Sequence, residues 1–70
     1  MEIFYLDSHP YVELCDLLKL QGWSESGAAA KIVIAEGLVQ VDGQVETRKR
    51  CKITAGKAVA FNGECVRVQA

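Results

Sequence analysis

The residues best suited to chemistry in this sequence are four cationic side chains within five positions: Arg48, Lys49, Arg50 and Lys52. Arginine presents a planar guanidinium that can bind phosphate through two parallel hydrogen bonds, and lysine adds a compact point charge. Such a cluster can hold a polyanion by neutralising its phosphates and releasing their counterions. A run of charge is more often a solvated loop, so the cluster by itself favours that simpler interpretation.

Charge is distributed unevenly along the chain, although its formal net value is only −1. Residues 1–47 contain two basic and eight acidic residues, a net charge of −6. Residues 48–70 contain six basic residues and one acidic residue, a net charge of +5. We therefore expect a local positive field around the cluster, to which Lys57 would contribute from just beyond it.

A helix and a hairpin are predicted immediately before the cluster. Ser24 has a side chain that can cap a helix N-terminus, and Trp23 and Ala28 have the spacing of a hydrophobic staple around that cap. Gly37 is a typical residue to end this helix. The dipeptide Asp42-Gly43, flanked by valines, favours a type I′ hairpin turn.

An earlier helix is predicted over residues 11–21 from the periodicity of its apolar positions. Ser8 or His9 could cap its start, and Gly22 should end it. The link to the next helix is only three residues long, so we expect the two helices to pack against each other. Trp23, in that link, could stack on a nucleobase, but a packing role at the corner suits it better.

The rest of the chain is rich in strand signals. Residues 3–6 predict an edge strand, and residues 58–61 and 64–68 flank Asn62-Gly63, a second type I′ dipeptide. In that register Val59 faces Val66. Two packed helices against a small antiparallel sheet define an α+β fold, and we expect residues 1–70 to form a single domain with the helices on one side of the sheet.

The remaining signals argue against an enzyme or a metal protein. The three cysteines, Cys15, Cys51 and Cys65, are odd in number and widely spaced, and His9 is the only histidine. We expect buried, reduced, structural cysteines in the cytoplasm, with no metal and no cofactor. No paired carboxylates, phosphate-binding glycine loop or cysteine–histidine spacing indicates catalysis, and seventy residues leave little room for a substrate cavity.

No apolar run approaches the roughly 20 residues of a membrane span, and the chain does not open with a signal peptide. We therefore expect no membrane partner. We also expect the protein to be a monomer.

The order of these elements resembles a known family. A helix, a short corner and a second helix precede the pattern G-x-V-x-V-D-G from Gly37 to Gly43. This order is similar to the RNA-binding domain family of ribosomal protein S4, over about residues 11–61. Members use two packed helices and a small sheet, the αL motif, to bind structured RNA. The resemblance implies a non-catalytic protein with structured RNA as its partner, ribosomal and transfer RNA being candidates.

Compared with the family, the helical side of the expected site is weakly basic. Ser26 falls where members often have a serine, and Gly27 falls where many have a phosphate-binding arginine. Lys31 can supply charge one turn later, whereas Tyr11 and Glu13 replace a basic helix start. The expected RNA-binding residues are therefore Ser26, Lys31, Arg48, Lys49, Arg50, Lys52 and Lys57. The alternative function is a protein-interaction module that binds an acidic partner through the same basic segment.

Overall fold

The computed structural model describes residues 1–70 and contains two helices and seven short strands. The helices are α1, Leu14–Leu20, and α2, Gly27–Ala35. The strands are β1 (Glu2–Tyr5), β2 (Val12–Glu13), β3 (Val39–Val41), β4 (Gln44–Val45), β5 (Lys52–Ile53), β6 (Ala58–Phe61) and β7 (Glu64–Gln69).

Five of the strands form one sheet in the order β1-β7-β6-β3-β4, and β2 and β5 form a separate antiparallel ladder. The α+β class with two packed helices is confirmed. The sheet is mixed, however, because β1 runs parallel to β7 at one edge. The backbone N–H of Leu6 continues this pairing by donating to the carbonyl of Gln69 at 2.8 Å. The prediction of a purely antiparallel sheet was therefore wrong in this detail.

Both predicted hairpin turns are present. Asp42 and Gly43 have φ values of 51° and 82°, and Asn62 and Gly63 have values of 53° and 81°. Positive φ at both central residues is the requirement of a type I′ turn. Val59 pairs with Val66 across the second hairpin, as the sequence predicted.

Glycine ends both helices, as predicted. Gly22 and Gly37 have φ values of 77° and 78°. After α1, Gly22 donates to the carbonyl of Lys19 and Trp23 donates to that of Leu18. After α2, Gly37 and Leu38 donate to carbonyls in the last turn in the same way. These paired bonds satisfy carbonyls that the helix itself leaves free.

The start of α2 differs from the sequence prediction. Ser26, not Ser24, is the N-cap, and its hydroxyl oxygen accepts a hydrogen bond from the Ala29 N–H at 3.1 Å. The prediction of a hydrophobic staple between Trp23 and Ala28 was therefore wrong, because the cap lies two residues after Ser24. Trp23 packs instead against the Phe61 ring, with 6.2 Å between the ring centroids.

α1 is shorter than predicted and begins at Leu14. The preceding residues, Val12 and Glu13, pair with Ile53 and Lys52 in the β2–β5 ladder and so cannot be helical. Ser8 and His9 do not cap α1. Ser8 has a φ of 68°, and the His9 N–H donates to the carbonyl of Leu6, which closes a turn directly after β1.

The core lies between the helices and one face of the sheet. Its twelve buried residues are all apolar and include four residues of α1. Cys15 is buried in this cluster, as predicted, but Cys51 and Cys65 are only half-buried. Cys65 alternates with the buried valines of β7, so its side chain lies on the opposite face of the sheet.

A matched pair of glycine substitutions tests the hairpin. A methyl group added at Gly43 or at Gly27 meets no atom within 4 Å, so neither substitution is opposed by a steric clash, but only Gly43 has a positive φ. Gly43→Ala forces alanine into positive φ and should reduce the free energy of unfolding by about 1 kcal/mol. Gly27→Ala, inside α2, should increase it by roughly 0.4–1 kcal/mol. Thermal unfolding measures both, and equal shifts in Tm for the two variants would contradict the turn.

Candidate nucleic-acid interface

Residues 48–52, here called the basic loop, are attached to the start of α1 through their backbone. The Leu14 N–H donates to the Cys51 carbonyl at 2.9 Å, and the Cys15 N–H donates to the Lys49 carbonyl at 3.1 Å. The first N–H groups of any helix lack acceptors within the helix, and here two carbonyls of the basic loop are the acceptors. The segment is therefore an ordered loop with a defined backbone path, not a solvated coil.

Three of the predicted cationic side chains come together at one recess. Arg48, Arg50 and Lys52 line it together with Cys51, and its volume is about 400 Å³. The recess is open to solvent. Because its three charged lining residues are all cationic, it is suited to an anionic group.

Arg48 is held in place by Glu46. Nε of Arg48 donates to Oε2 of Glu46, and Nη2 donates to Oε1, both at 3.0 Å. The backbone N–H of Arg48 also donates to Oε2 at 3.0 Å. The Arg48 side chain is nevertheless 75% exposed, so its remaining N–H groups can reach a ligand. Sequence reasoning missed Glu46, although a carboxylate two residues before an arginine on an extended chain lies on the same side of it.

Two further cations have carboxylate neighbours from distant parts of the chain. Nε of Arg50 lies 3.9 Å from Oε1 of Glu13, and Nζ of Lys57 lies 3.8 Å from Oδ2 of Asp42. Both carboxylates come from the acidic half of the sequence. Folding thus brings acidic side chains of residues 1–47 next to basic side chains of residues 48–70. The positive field at the loop is therefore weaker than the sequence charge indicated.

Lys52 and Lys49 have different surroundings. The ammonium group of Lys52 lies over the Tyr11 ring, 5.1 Å from the ring centroid, in a cation–π contact. Lys49 is exposed and forms no ion pair. The contact with Tyr11 could not be found from the sequence, because it depends on the pairing of β2 with β5.

The two predicted residues of α2 lie outside the recess. The hydroxyl oxygen of Ser26 already accepts the helix-capping hydrogen bond, which leaves its proton and its second lone pair for an outside partner. Lys31 is half-buried in α2 and forms no ion pair. Lys57 lines a neighbouring hollow together with Arg48 and Lys52. The geometry therefore groups Arg48, Arg50, Lys52 and Lys57 and separates Ser26 and Lys31 from them.

The Arg48–Glu46 contact changes the protonation of its surroundings. Hydrogen bonds from the Arg48 side chain and backbone lower the pKa of Glu46 from 4.5 to about 2. The same side-chain contact raises the pKa of Arg48. Cys51 lies 3.6 Å from Oε1 of Glu46, and its pKa is raised by burial and by that carboxylate. At neutral pH the Glu46–Arg48 pair is therefore fully charged, and the Cys51 thiol is protonated.

No group of three or more histidine, cysteine, aspartate or glutamate side chains is arranged to hold a metal ion. No helix is long and apolar enough to cross a membrane. The structure is thus a small α+β domain with a fixed loop and a recess lined by three cationic side chains.

Comparisons with known proteins place this domain in a family. The S4 domain model matches residues 4–69, and the chain belongs to the S4 domain family. YbcJ of Escherichia coli (strain K12) and YbcJ of Shigella flexneri are each 70% identical over 70 residues, with full coverage of both chains. A solution structure of YbcJ from E. coli, described as revealing an αL motif involved in RNA binding, matches with a TM-score of 0.76. That match covers 100% of this chain and 89% of the other.

The depressed pKa of Glu46 predicts a pH dependence of stability. A carboxyl whose pKa is lower in the folded state stabilises the protein above pH 4.5, and this contribution is lost as the pH falls from 4.5 to about 2. Because the arginine partner is largely exposed, the effect should stay below about 1 kcal/mol. Glu46→Gln should be slightly less stable than the parent protein at pH 7, and this difference should shrink as the pH falls and disappear only below about pH 2.

Urea unfolding at a series of pH values measures this difference. Glu64→Gln is the matched control, because Glu64 is exposed and forms no ion pair. If the difference between Glu46→Gln and the parent were constant from pH 7 to pH 2, the contact would have no role in stability.

Proposed function

We propose that this chain is a non-catalytic RNA-binding protein that holds structured RNA mainly through phosphate contacts from the basic loop. Membership of the S4 domain family supports the class of function. The αL motif ascribed to RNA binding in the solution structure of E. coli YbcJ supports RNA as the partner. We further propose that the protein acts as a monomer in the cytoplasm, with ribosomal or transfer RNA as candidate ligands.

The observation that supports the mode of binding is the attachment of the basic loop to α1. Hydrogen bonds from Leu14 and Cys15 fix the loop backbone at Cys51 and Lys49. Binding to a fixed loop does not cost the conformational entropy of ordering it, so more of the free energy of the contacts contributes to affinity. A loop with the same charge but no fixed path would bind RNA less tightly.

The contacts we assign differ from one residue to the next. Arg50 and Lys52 would bind phosphate in the recess, and Arg48 would add the donors that Glu46 leaves free. The Lys49 side chain forms no ion pair and would contact a phosphate outside the recess. Lys57, Lys31 and Ser26 would make peripheral contacts only, because none of them lines the recess.

Structured RNA suits this surface better than an extended single strand does. Proteins that bind single strands without sequence preference use several exposed aromatic rings in a charged groove. The basic loop contains no aromatic residue, and only one ring, Tyr11, contacts one of its cations. Phosphates presented at a fixed geometry by a folded RNA can match the fixed positions of the loop cations.

The triple variant Arg48→Ala, Lys49→Ala, Arg50→Ala tests the proposal. These side chains are exposed, so the variant should fold. Each lost phosphate contact should reduce the log–log salt slope of RNA binding by roughly 0.7, which gives a total change of about 2. Fluorescence anisotropy with a labelled RNA hairpin over a range of salt concentrations measures the slope.

Arg67→Gln is a suitable control, because Arg67 lies on β7 and donates to the Gly56 carbonyl at 2.9 Å, outside the recess. Its salt slope should equal that of the parent protein. A triple variant with the parental affinity and slope would exclude the basic loop as the site. Capture of an acidic protein that survives nuclease treatment, without any RNA binding, would favour the interaction-module alternative.

A further inference from the structure

A second concavity lies beside the recess and has a different chemical character. It is a groove of about 670 Å³ between the end of β1, the turn that follows it, and α1. Its aromatic lining includes Tyr5, His9 and Tyr11. Tyr5 is 56% exposed, so part of this aromatic surface is open to a ligand.

The groove and the recess share a border, which is the β2–β5 ladder. Glu13 of the groove pairs in register with Lys52 of the recess. Lys52 also lies over the ring of Tyr11, and Arg50 lies 3.9 Å from Glu13. Facing side chains on such a ladder are about 5 Å apart. A ligand that occupies both concavities therefore needs an anionic group next to a group that can contact aromatic rings.

The charge of the groove is unfavourable for phosphate. Three carboxylates, those of Asp7, Glu13 and Asp16, line the groove against the single ammonium group of Lys19. Carboxylates repel phosphate but accept hydrogen bonds from the amino groups of nucleobases. Aromatic side chains stack on the faces of unpaired bases. The groove thus suits a base, and the neighbouring recess suits the phosphate attached to it.

We infer that this groove takes one unpaired nucleobase of the RNA whose phosphates bind the basic loop. The inference rests on the proposed function and specifies its ligand. The RNA is a helix interrupted by an unpaired nucleotide, such as a bulge, and not an uninterrupted duplex. Because the groove offers carboxylate acceptors, bases with an amino group (guanine, cytosine or adenine) bind better than uracil.

The test compares hairpin RNAs that differ at a single position. One carries a bulged cytidine, one a bulged uridine, one an abasic residue in the same bulge, and one is fully paired. The abasic hairpin keeps the interrupted backbone and lacks only the base. The Kd for the cytidine bulge should be lower than that for the abasic bulge by about fivefold to a hundredfold, the range expected for one stacked base. Uridine should fall between them.

Variants of Tyr11 locate the effect. Tyr11→Leu removes the ring, and the ratio of the abasic Kd to the cytidine Kd should fall towards one. Tyr11→Phe keeps the ring and should restore most of the ratio. Leu38→Ala is the control, because Leu38 is 54% exposed and is not part of the groove. If Tyr11→Leu does not fold, Tyr5→Leu removes the exposed ring of the same groove and should also lower the ratio.

Equal Kd values for the cytidine and abasic bulges in the parent protein would overturn the inference. So would a ratio that is unchanged in every folded variant lacking a groove ring. Neither result would affect the proposed function, which is judged by the salt slope of the basic-loop variant. Conversely, loss of binding to all four hairpins in the triple alanine variant would support the proposed function of the basic loop. The ratio of the abasic Kd to the cytidine Kd is measured in the parent protein and tests the groove separately.

Discussion

The first N–H groups of α1 need hydrogen-bond acceptors, and the basic loop supplies them. Helix ends cannot be left unsatisfied in a folded protein, so these two backbone bonds fix a segment that is otherwise polar and exposed. With the carbonyls of Lys49 and Cys51 directed at α1, the loop presents its cationic side chains at the surface. The β2–β5 ladder continues the attachment on one side, and the buried leucines of α1 anchor it to the core.

Two carboxylates lie close to cations of the basic loop. Glu46 binds Arg48 through two side-chain hydrogen bonds, and Glu13 lies near Arg50. These contacts reduce the net positive charge of the surface and at the same time restrict the positions of two long side chains. Restriction favours a ligand whose phosphates already match those positions, whereas unrestrained charge would favour any polyanion. On our proposal, the carboxylates therefore lower the affinity for RNA somewhat and raise the selectivity for its shape.

On our proposals, the two sides of the β2–β5 ladder have complementary tasks. The recess is cationic and suits phosphate, whereas the groove beside it is aromatic and acidic and suits a base. Tyr11 lines the groove and also contacts Lys52 of the recess, so it connects the two. A site of this kind responds to local irregularity in an RNA helix, because only an unpaired nucleotide can present its base and its phosphate separately.

The sequence by itself determined those features that depend on neighbouring residues. Asp42-Gly43 and Asn62-Gly63 form the turns that their backbone preferences require, and Gly22 and Gly37 end the helices, because glycine adopts positive φ without steric cost. Together with the apolar periodicity, these signals were sufficient for the α+β class.

Tertiary contacts decided the rest. The start of α1 depends on strand pairing with a segment about forty residues away. The parallel position of β1 depends on β7 at the other end of the chain. The cationic cluster itself was visible in the sequence, but its carboxylate and aromatic neighbours Glu13, Asp42 and Tyr11 come from distant segments. Local sequence specifies turns and helix ends because their energies are local, whereas the charge and shape of the site arise only when distant segments meet.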